Sequence, residues 1–157
     1  MRNTKSALKW IISLMEDNHI QYQVVGGLAA KTYGASRELV DIDLYVSGKD
    51  FQKACELAKD HLTWDPKHYK DNEWDIEFAK FEFDGQKVEI GNSTGAKRFD
   101  NETNEWIDEN IDYDTYEVKE FLGVKFKVIS KQKLIEYKRK LNREVDKIDL
   151  KQMEEAP

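Results

Sequence analysis

The sequence predicts an α/β (α+β) protein in which helices flank a mixed, mostly antiparallel sheet and a helical segment closes the chain. Three patterns carry that expectation. The first third alternates strand, short helix, strand and helix; the middle alternates apolar and polar residues around tight turns; and the last part places apolar residues three and four apart. A length of 157 residues fits one domain, 1–157, divided into an α/β core over about 1–129 and a helical tail over 130–157.

Leu8, Ile11, Ile12 and Met15 share one helical face, so a first helix is expected from about Lys5 to Asn18. Tyr22 to Val25 is short and β-favouring, and it ends on Gly26-Gly27. LAAKTY suits a short helix stopped at Gly34, and Val40 to Val46 suits a second strand. Ser47-Gly48 then turns the chain into a helix from about Lys49 to His61, with Cys55 on its apolar side. WDIEFAKFEFDGQKVEI reads as a hairpin turning at Asp84-Gly85, and TYEVKEFLGVKFKVI as another turning near Leu122-Gly123. The polar stretch between them, about twenty residues from Gly91 to Asp112, is long for a plain connection and is expected to be a loop that covers a site. Leu134, Tyr137, Leu141, Val145 and Ile148 form one stripe on a final helix, with Ser130 as its N-cap.

Composition narrows the function. With 25 Lys+Arg against 31 Asp+Glu the net charge is −6, and no cationic run marks a duplex-binding stripe, which argues against nucleic acid as the partner. Cys55 is the single cysteine, so no disulfide frame or thiolate metal cluster can form within the chain, and it is expected in the core. His19, His61 and His68 lack the spacing of a zinc site. The N-terminal ALKWIISLM is interrupted by Lys9 and followed by acids, so it is read as an amphipathic helix; no membrane association and a cytoplasmic location are the expectation.

One stretch, VVGGLAAKTYGASRELVDIDLYV, concentrates the chemistry. Asp41 and Asp43 project from the same face of a strand and repel one another, by roughly 4 kcal/mol at about 4 Å and an effective dielectric near 20. A divalent cation removes that cost, and hard oxygen ligands suit Mg²⁺ with its remaining sites given to water and phosphates. Gly26 and Gly27, between a strand and a helix, let backbone N–H groups approach an anion. A phosphate seat and a metal seat thus stand thirteen residues apart, as a nucleoside triphosphate with Mg²⁺ would require.

The string V-V-G-G, thirteen residues, then D-I-D-L resembles the signature of the DNA polymerase β-type nucleotidyltransferases, and LIEYKRKLNREVDKIDL resembles the tail of their small bacterial members, the lincosamide and minimal nucleotidyltransferases. The resemblance runs from about Ile20 to Leu150. It implies the nucleotidyltransferase fold, an NTP substrate, two Mg²⁺ ions held by Asp41, Asp43 and a third carboxylate, and transfer of a nucleoside monophosphate to a hydroxyl acceptor, such as an antibiotic, with release of pyrophosphate. Glu89 in KVEIGN is the candidate third ligand and an aid in deprotonating the acceptor; its plain alternative is an exposed hairpin acid. Gly26, Gly27, Arg37 and Lys138 are the candidate nucleotide-binding residues, with a plain loop charge as the alternative for Arg37 and a surface charge beside Arg139 and Lys140 for Lys138; Lys138, Arg143, Asp146 and Asp149 are carried over from the tail pattern, with helix ion pairs or a packing network with Arg143 as the alternative for the two acids. Asp75 and Glu77 share the one-residue spacing but lack a preceding glycine pair. Relatives often place Ser-Arg-x-Thr before the acid strand, where this chain has Ser36, Arg37, Glu38 and Leu39. Tyr113, Tyr116 and Trp106 could line an acceptor pocket or pack in the core. The acceptor is not legible, a homodimer sharing its pocket would fit, and a non-catalytic nucleotide-binding or toxin–antitoxin component acting through a protein partner is the rival function.

Overall fold

A computed structural model describes residues 1–156 as five α-helices and nine strands. Helix α1 spans Thr4–Asp17, with Asn3 capping it by accepting from the Ser6 N–H at 3.0 Å. It buries Leu8, Ile11, Ile12 and Met15, so the amphipathic reading holds. Strand β1 is Tyr22–Val25, α2 is Gly26–Thr32 and β2 is Asp41–Val46. The third helix, α3, is Gly48–Leu57 and gives way to a 3₁₀ turn at Lys59–His61. Strands β4 (Trp74–Phe83) and β5 (Gln86–Asn92) make the expected hairpin, and β8 (Glu117–Phe121) and β9 (Val124–Val128) the second. Asp84 and Gly85, and likewise Leu122 and Gly123, have positive φ at the two turns, as tight hairpin turns require.

With β3 (Leu62–Lys70), β6 (Lys97–Asp100) and β7 (Glu105–Asp108), all nine strands join one sheet in the order β7-β6-β4-β5-β2-β1-β9-β8, and β3 pairs with β4 off this path. Only β1 with β9 and β2 with β5 run parallel; the remaining pairs are antiparallel. The core lies between the sheet and its helices, around fully enclosed Leu8, Leu28, Ile42, Phe81, Ile90 and Phe126.

Three expectations give way. Strand β3, Leu62–Lys70, has no counterpart in the sequence reading. It is an edge strand carrying Pro66, and register shifts between Leu62 and Lys67 absorb the missing N–H; its polar composition hid it. The polar stretch after β5 is not one covering loop, because β6 (Lys97–Asp100) and β7 (Glu105–Asp108) pair within it. The tail is two helices, α4 (Lys131–Leu141) and α5 (Glu144–Glu155), separated by Asn142 in the left-handed region at φ 52°. That break resets the helical phase, so Val145 and Ile148 are 36% and 51% exposed instead of continuing the apolar stripe, and α5 buries Asp146, Asp149 and Met153. Ser130 does cap α4, accepting from Lys133 N–H. Pro157, the last residue of the expected tail, lies outside the described residues.

Phe81 sits wholly enclosed in β4. Phe81→Ala is expected to lower unfolding stability by about 3–5 kcal/mol, read from the midpoint of urea denaturation.

Candidate functional site

Alternation along β2 sends Asp41 and Asp43 to one face while Ile42 and Leu44 enter the core. The parallel register of β2 and β5 then sets Glu89 directly beside Asp43. One carboxylate oxygen from each of Asp41, Asp43 and Glu89 lies within 4.8 Å of the others, which makes this the cluster of three ligating side chains among the described residues. Burial raises the Asp43 carboxyl well above the ordinary carboxylate range, and Glu89 and Asp41 beside it push the same way. Burial also raises Glu89, with a contact to Asp43 and the nearby Lys80 working in the opposite direction. The Asp43 Oδ1 atom is buried and accepts no hydrogen bond. A buried, unpartnered carboxylate oxygen facing two further carboxylates is the donor set of a hard divalent cation, so these residues fit Mg²⁺.

The glycine pair opens α2 immediately after β1, and Val25 pairs with Asp43 across the β1–β2 ladder. Gly26 has φ +64°, and a Cβ there would stand 2.6 Å from Asp43 Oδ2. Its glycine is therefore demanded by the acid beside it. A Cβ on Gly27 would meet nothing nearer than Leu39 at 3.8 Å and Arg37 at 4.0 Å, which leaves that backbone open to the cleft.

Above the carboxylates, the tail folds into a network of charges. Lys138 on α4 is 2% exposed, with Nζ 3.0 Å from Asp149 and 3.4 Å from Asp146. Arg37 donates to both oxygens of Asp149, at 3.3 and 2.9 Å. Arg143 donates to Asp146 through its side chain at 2.7 and 3.1 Å and through its backbone N–H at 3.0 Å. Burial alone would raise Asp149, but hydrogen bonds from Arg37 and Lys138 outweigh it and hold its carboxyl below the ordinary value. Lys138, Arg37 and Arg143 thus share Asp146 and Asp149, and Arg143 also faces Glu73 at 3.6 Å. Arg37 and Lys138 do reach the cleft, yet both are already held by α5 aspartates, a coupling to Asp149 and Asp146 that the sequence did not suggest.

Gly26, Gly27, Arg37, Lys138 and the three carboxylates line a single cleft of about 370 Å³. Its far wall was missed: Tyr69 from β3 and Trp74, Ile76 and Phe78 from β4. Even-numbered spacing in WDIEF could have revealed the β4 residues, whereas Tyr69 depends on an unrecognised strand. Tyr113 instead bonds Ser93 at 2.6 Å, Trp106 packs edge-on against Phe99, and Tyr116 lies beside Lys127; none lines this cleft. Asp75 pairs with His68, and Glu77 accepts from Asn92, so neither joins the acid cluster. Burial pushes the Cys55 thiol up to about 12, as expected of a packed core cysteine.

No protein-family model and no curated protein sequence matches the chain. Solved structures do. A protein from Thermotoga maritima assigned as a nucleotidyltransferase superposes with a TM-score of 0.74 at 21% identity, over 91% of this chain and 88% of that one. The lincosamide antibiotic adenylyltransferase LnuA, solved with lincomycin, superposes with a TM-score of 0.64 at 19% identity, over 98% of both chains. The chain has the nucleotidyltransferase fold. ANT(2″)-Ia, solved with adenylyl-2″-tobramycin, shares that fold more distantly, with a TM-score of 0.57 at 13% identity over 95% of this chain and 89% of that one. In this chain's version of the nucleotidyltransferase fold, the carboxylates stand on β2 and β5 and the two tail helices bring cations over them.

A carboxyl whose folded pKa is raised stabilises the fold while protonated and loses that contribution as pH rises through its folded value. Asp43→Asn is therefore expected to raise the metal-free Tm at pH 8, by about 2–4 °C for each kcal/mol relieved, and to leave it nearly unchanged at pH 4.5. Asp149 behaves oppositely, because a depressed pKa contributes stability above the unfolded value and loses it as pH falls through the folded one. Asp149→Ala should cost about 3–5 kcal/mol at pH 7, and that difference should shrink as the pH is taken below about 4 in parallel denaturation curves.

Proposed function

We propose that the protein is a Mg²⁺-dependent nucleotidyltransferase that moves a nucleoside monophosphate from an NTP to a hydroxyl acceptor and releases pyrophosphate. The observation that carries this reading is the convergence of Asp41, Asp43 and Glu89, with a buried oxygen of Asp43 left unpartnered. Asp41 and Asp43 would hold Mg²⁺ against the triphosphate, and Glu89 would complete a second position. Bound there, the cations would supply charge stabilisation to both the attacking and the leaving oxygen.

The chain's own groups do the remaining work. Gly27 presents bare backbone to the phosphates, and Arg37 and Lys138 offset the negative charge that grows on the leaving pyrophosphate. Asp149 and Asp146 fix those two cations in place before substrate arrives. Glu89, beside Asp43 at the edge of the cluster, would also help to take the proton of the attacking hydroxyl, as the resemblance implies. The acceptor oxygen bonds to the α-phosphorus as the α–β phosphoanhydride bond breaks, so atoms and charge balance.

A small-molecule acceptor fits the net charge of −6, which disfavours nucleic acid, and the fold shared with enzymes that carry lincomycin and tobramycin. No helix among the described residues is long and apolar enough to cross a membrane; NTP as a substrate suits a cytoplasmic location.

Saturating Mg²⁺ with ATP, GTP, CTP or UTP is expected to stabilise the protein by about 2.7 kcal/mol at a hundredfold excess over Kd, read as a thermal shift. Asp41→Asn and Asp43→Asn should abolish the shift and reduce transfer from α-labelled NTP at least ~100-fold. No shift with any of the four would favour a partner-binding module without catalysis, and label on the protein itself would point to protein acceptors.

A further inference from the structure

The sheet face that bears the carboxylates does not end at Glu89. Across β5 and β4, Glu89 pairs with Lys80, and Lys80 pairs in turn with Trp64 on β3. One step along, Phe78 pairs with Gly91 on one side and Lys67 on the other, and Ile76 pairs with Tyr69. Partners across a ladder share a face, so the acid cluster runs directly into an apolar strip. Phe78 stacks on Trp64 with ring centroids 6.0 Å apart and meets Tyr69 edge-on at 5.7 Å. Gly91 lets this floor sink: a Cβ there would stand 2.9 Å from Tyr45 Cε1 and 3.2 Å from Ile76 Cδ1. Tyr69 is 39% exposed, so its ring is open to a ligand in the cleft.

Position and charge identify the occupant. Gly26, Gly27 and Arg37 lie on the β1 side of the carboxylates, and the strip lies on the β4 side. In an in-line displacement the attacking hydroxyl approaches opposite the leaving pyrophosphate. With pyrophosphate drawn toward Arg37, the acceptor arrives over the strip. The charges standing on the strip are cationic: Lys67 sits 3.7 Å from the Trp64 ring centroid, and Lys80 lies 5.1 Å from it and 3.8 Å from Glu89. The carboxylates nearby already have partners, although Asp71 keeps its charge beside Tyr69. Asp71 accepts from the Glu73 and Trp74 N–H groups and the Tyr69 hydroxyl, Asp75 pairs with His68 and Lys70, and Glu73 faces Arg143 at 3.6 Å.

We infer that the acceptor is a hydroxyl compound bearing an apolar ring and no cluster of amines, with that ring laid on Phe78, Ile76 and Tyr69. The inference rests on the nucleotidyl-transfer reading above. It sets this cleft apart from one built for a polyamine sugar, because Lys67 and Lys80 repel added ammonium groups.

The test compares phenyl β-D-glucopyranoside, methyl β-D-glucopyranoside and tobramycin, each titrated calorimetrically into the protein with Mg²⁺ and α,β-methylene-ATP. The two glucosides offer the same sugar hydroxyls and differ in the ring. The phenyl glucoside is expected to bind about tenfold more tightly than the methyl one, and Phe78→Ala should erase that advantage while preserving the thermal shift given by the nucleotide. Tobramycin should bind more weakly than the phenyl glucoside and gain at least severalfold in Lys67→Glu, an exposed substitution outside the carboxylate cluster. Equal binding of the two glucosides, an aryl advantage that survives Phe78→Ala, or preference for tobramycin overturns the inference. Loss of the nucleotide shift in Phe78→Ala also overturns it, by assigning the strip to the nucleobase. Failure of the underlying reading shows separately, as absence of any nucleotide shift in the unaltered protein.

Discussion

Repulsion among three carboxylates is the constraint around which the site is arranged. Parallel pairing of β2 with β5 places Asp43 beside Glu89, and strand alternation keeps Asp41 on the same side. Nothing in that backbone arrangement can relax to separate them, because Ile42, Leu44, Val88 and Ile90 on the opposite face anchor both strands in the core. The sheet therefore holds the acids together at a cost in stability, and Gly26 packs against one of them so tightly that no side chain could be accommodated. Such locally unfavourable geometry, over-determined by a well-packed surround, is characteristic of sites prepared for a ligand.

The tail supplies the opposite charge. Lys138 comes from α4, Arg143 from the junction and Arg37 from the segment before β2, and all three converge on two aspartates of α5. A buried lysine would be expensive alone; paired with two buried carboxylates and flanked by two guanidinium groups, it is held in one orientation. Rigidity of this kind is what distinguishes a cation that can meet a phosphate without reorganising from one that merely decorates a surface.

Much of this was legible because periodicity and turn chemistry are local. The first helix, strand β1, strand β2 and both hairpins with Asp-Gly and Leu-Gly turns follow from residues adjacent in sequence, and the acid cluster follows from alternation plus a resemblance in spacing. What escaped depends on pairing at a distance. Strand β3 is polar, bears Pro66 and becomes a strand only by lying along β4; with it went Tyr69 and the aromatic wall. The hairpin of β6 and β7 extends the β4 edge after β5 ends, so its strands are defined by tertiary contact. The Asn142 break was hidden because a single left-handed residue barely perturbs an apolar stripe on paper, yet it decides that Asp146 and Asp149 face inward.

The bond between Arg37 and Asp149 joins residues 112 positions apart. During synthesis, β2 and β5 can bring their acids together long before α5 exists to position the cations over them. A chain folded only that far would hold its acids together with Arg37 unanchored and Lys138 not yet in place, and the charges would reach their final arrangement only when α5 docks. The order of the polypeptide thus makes the cleft's electrical balance a late event in maturation, set when Asp146 and Asp149 of α5 meet the cations.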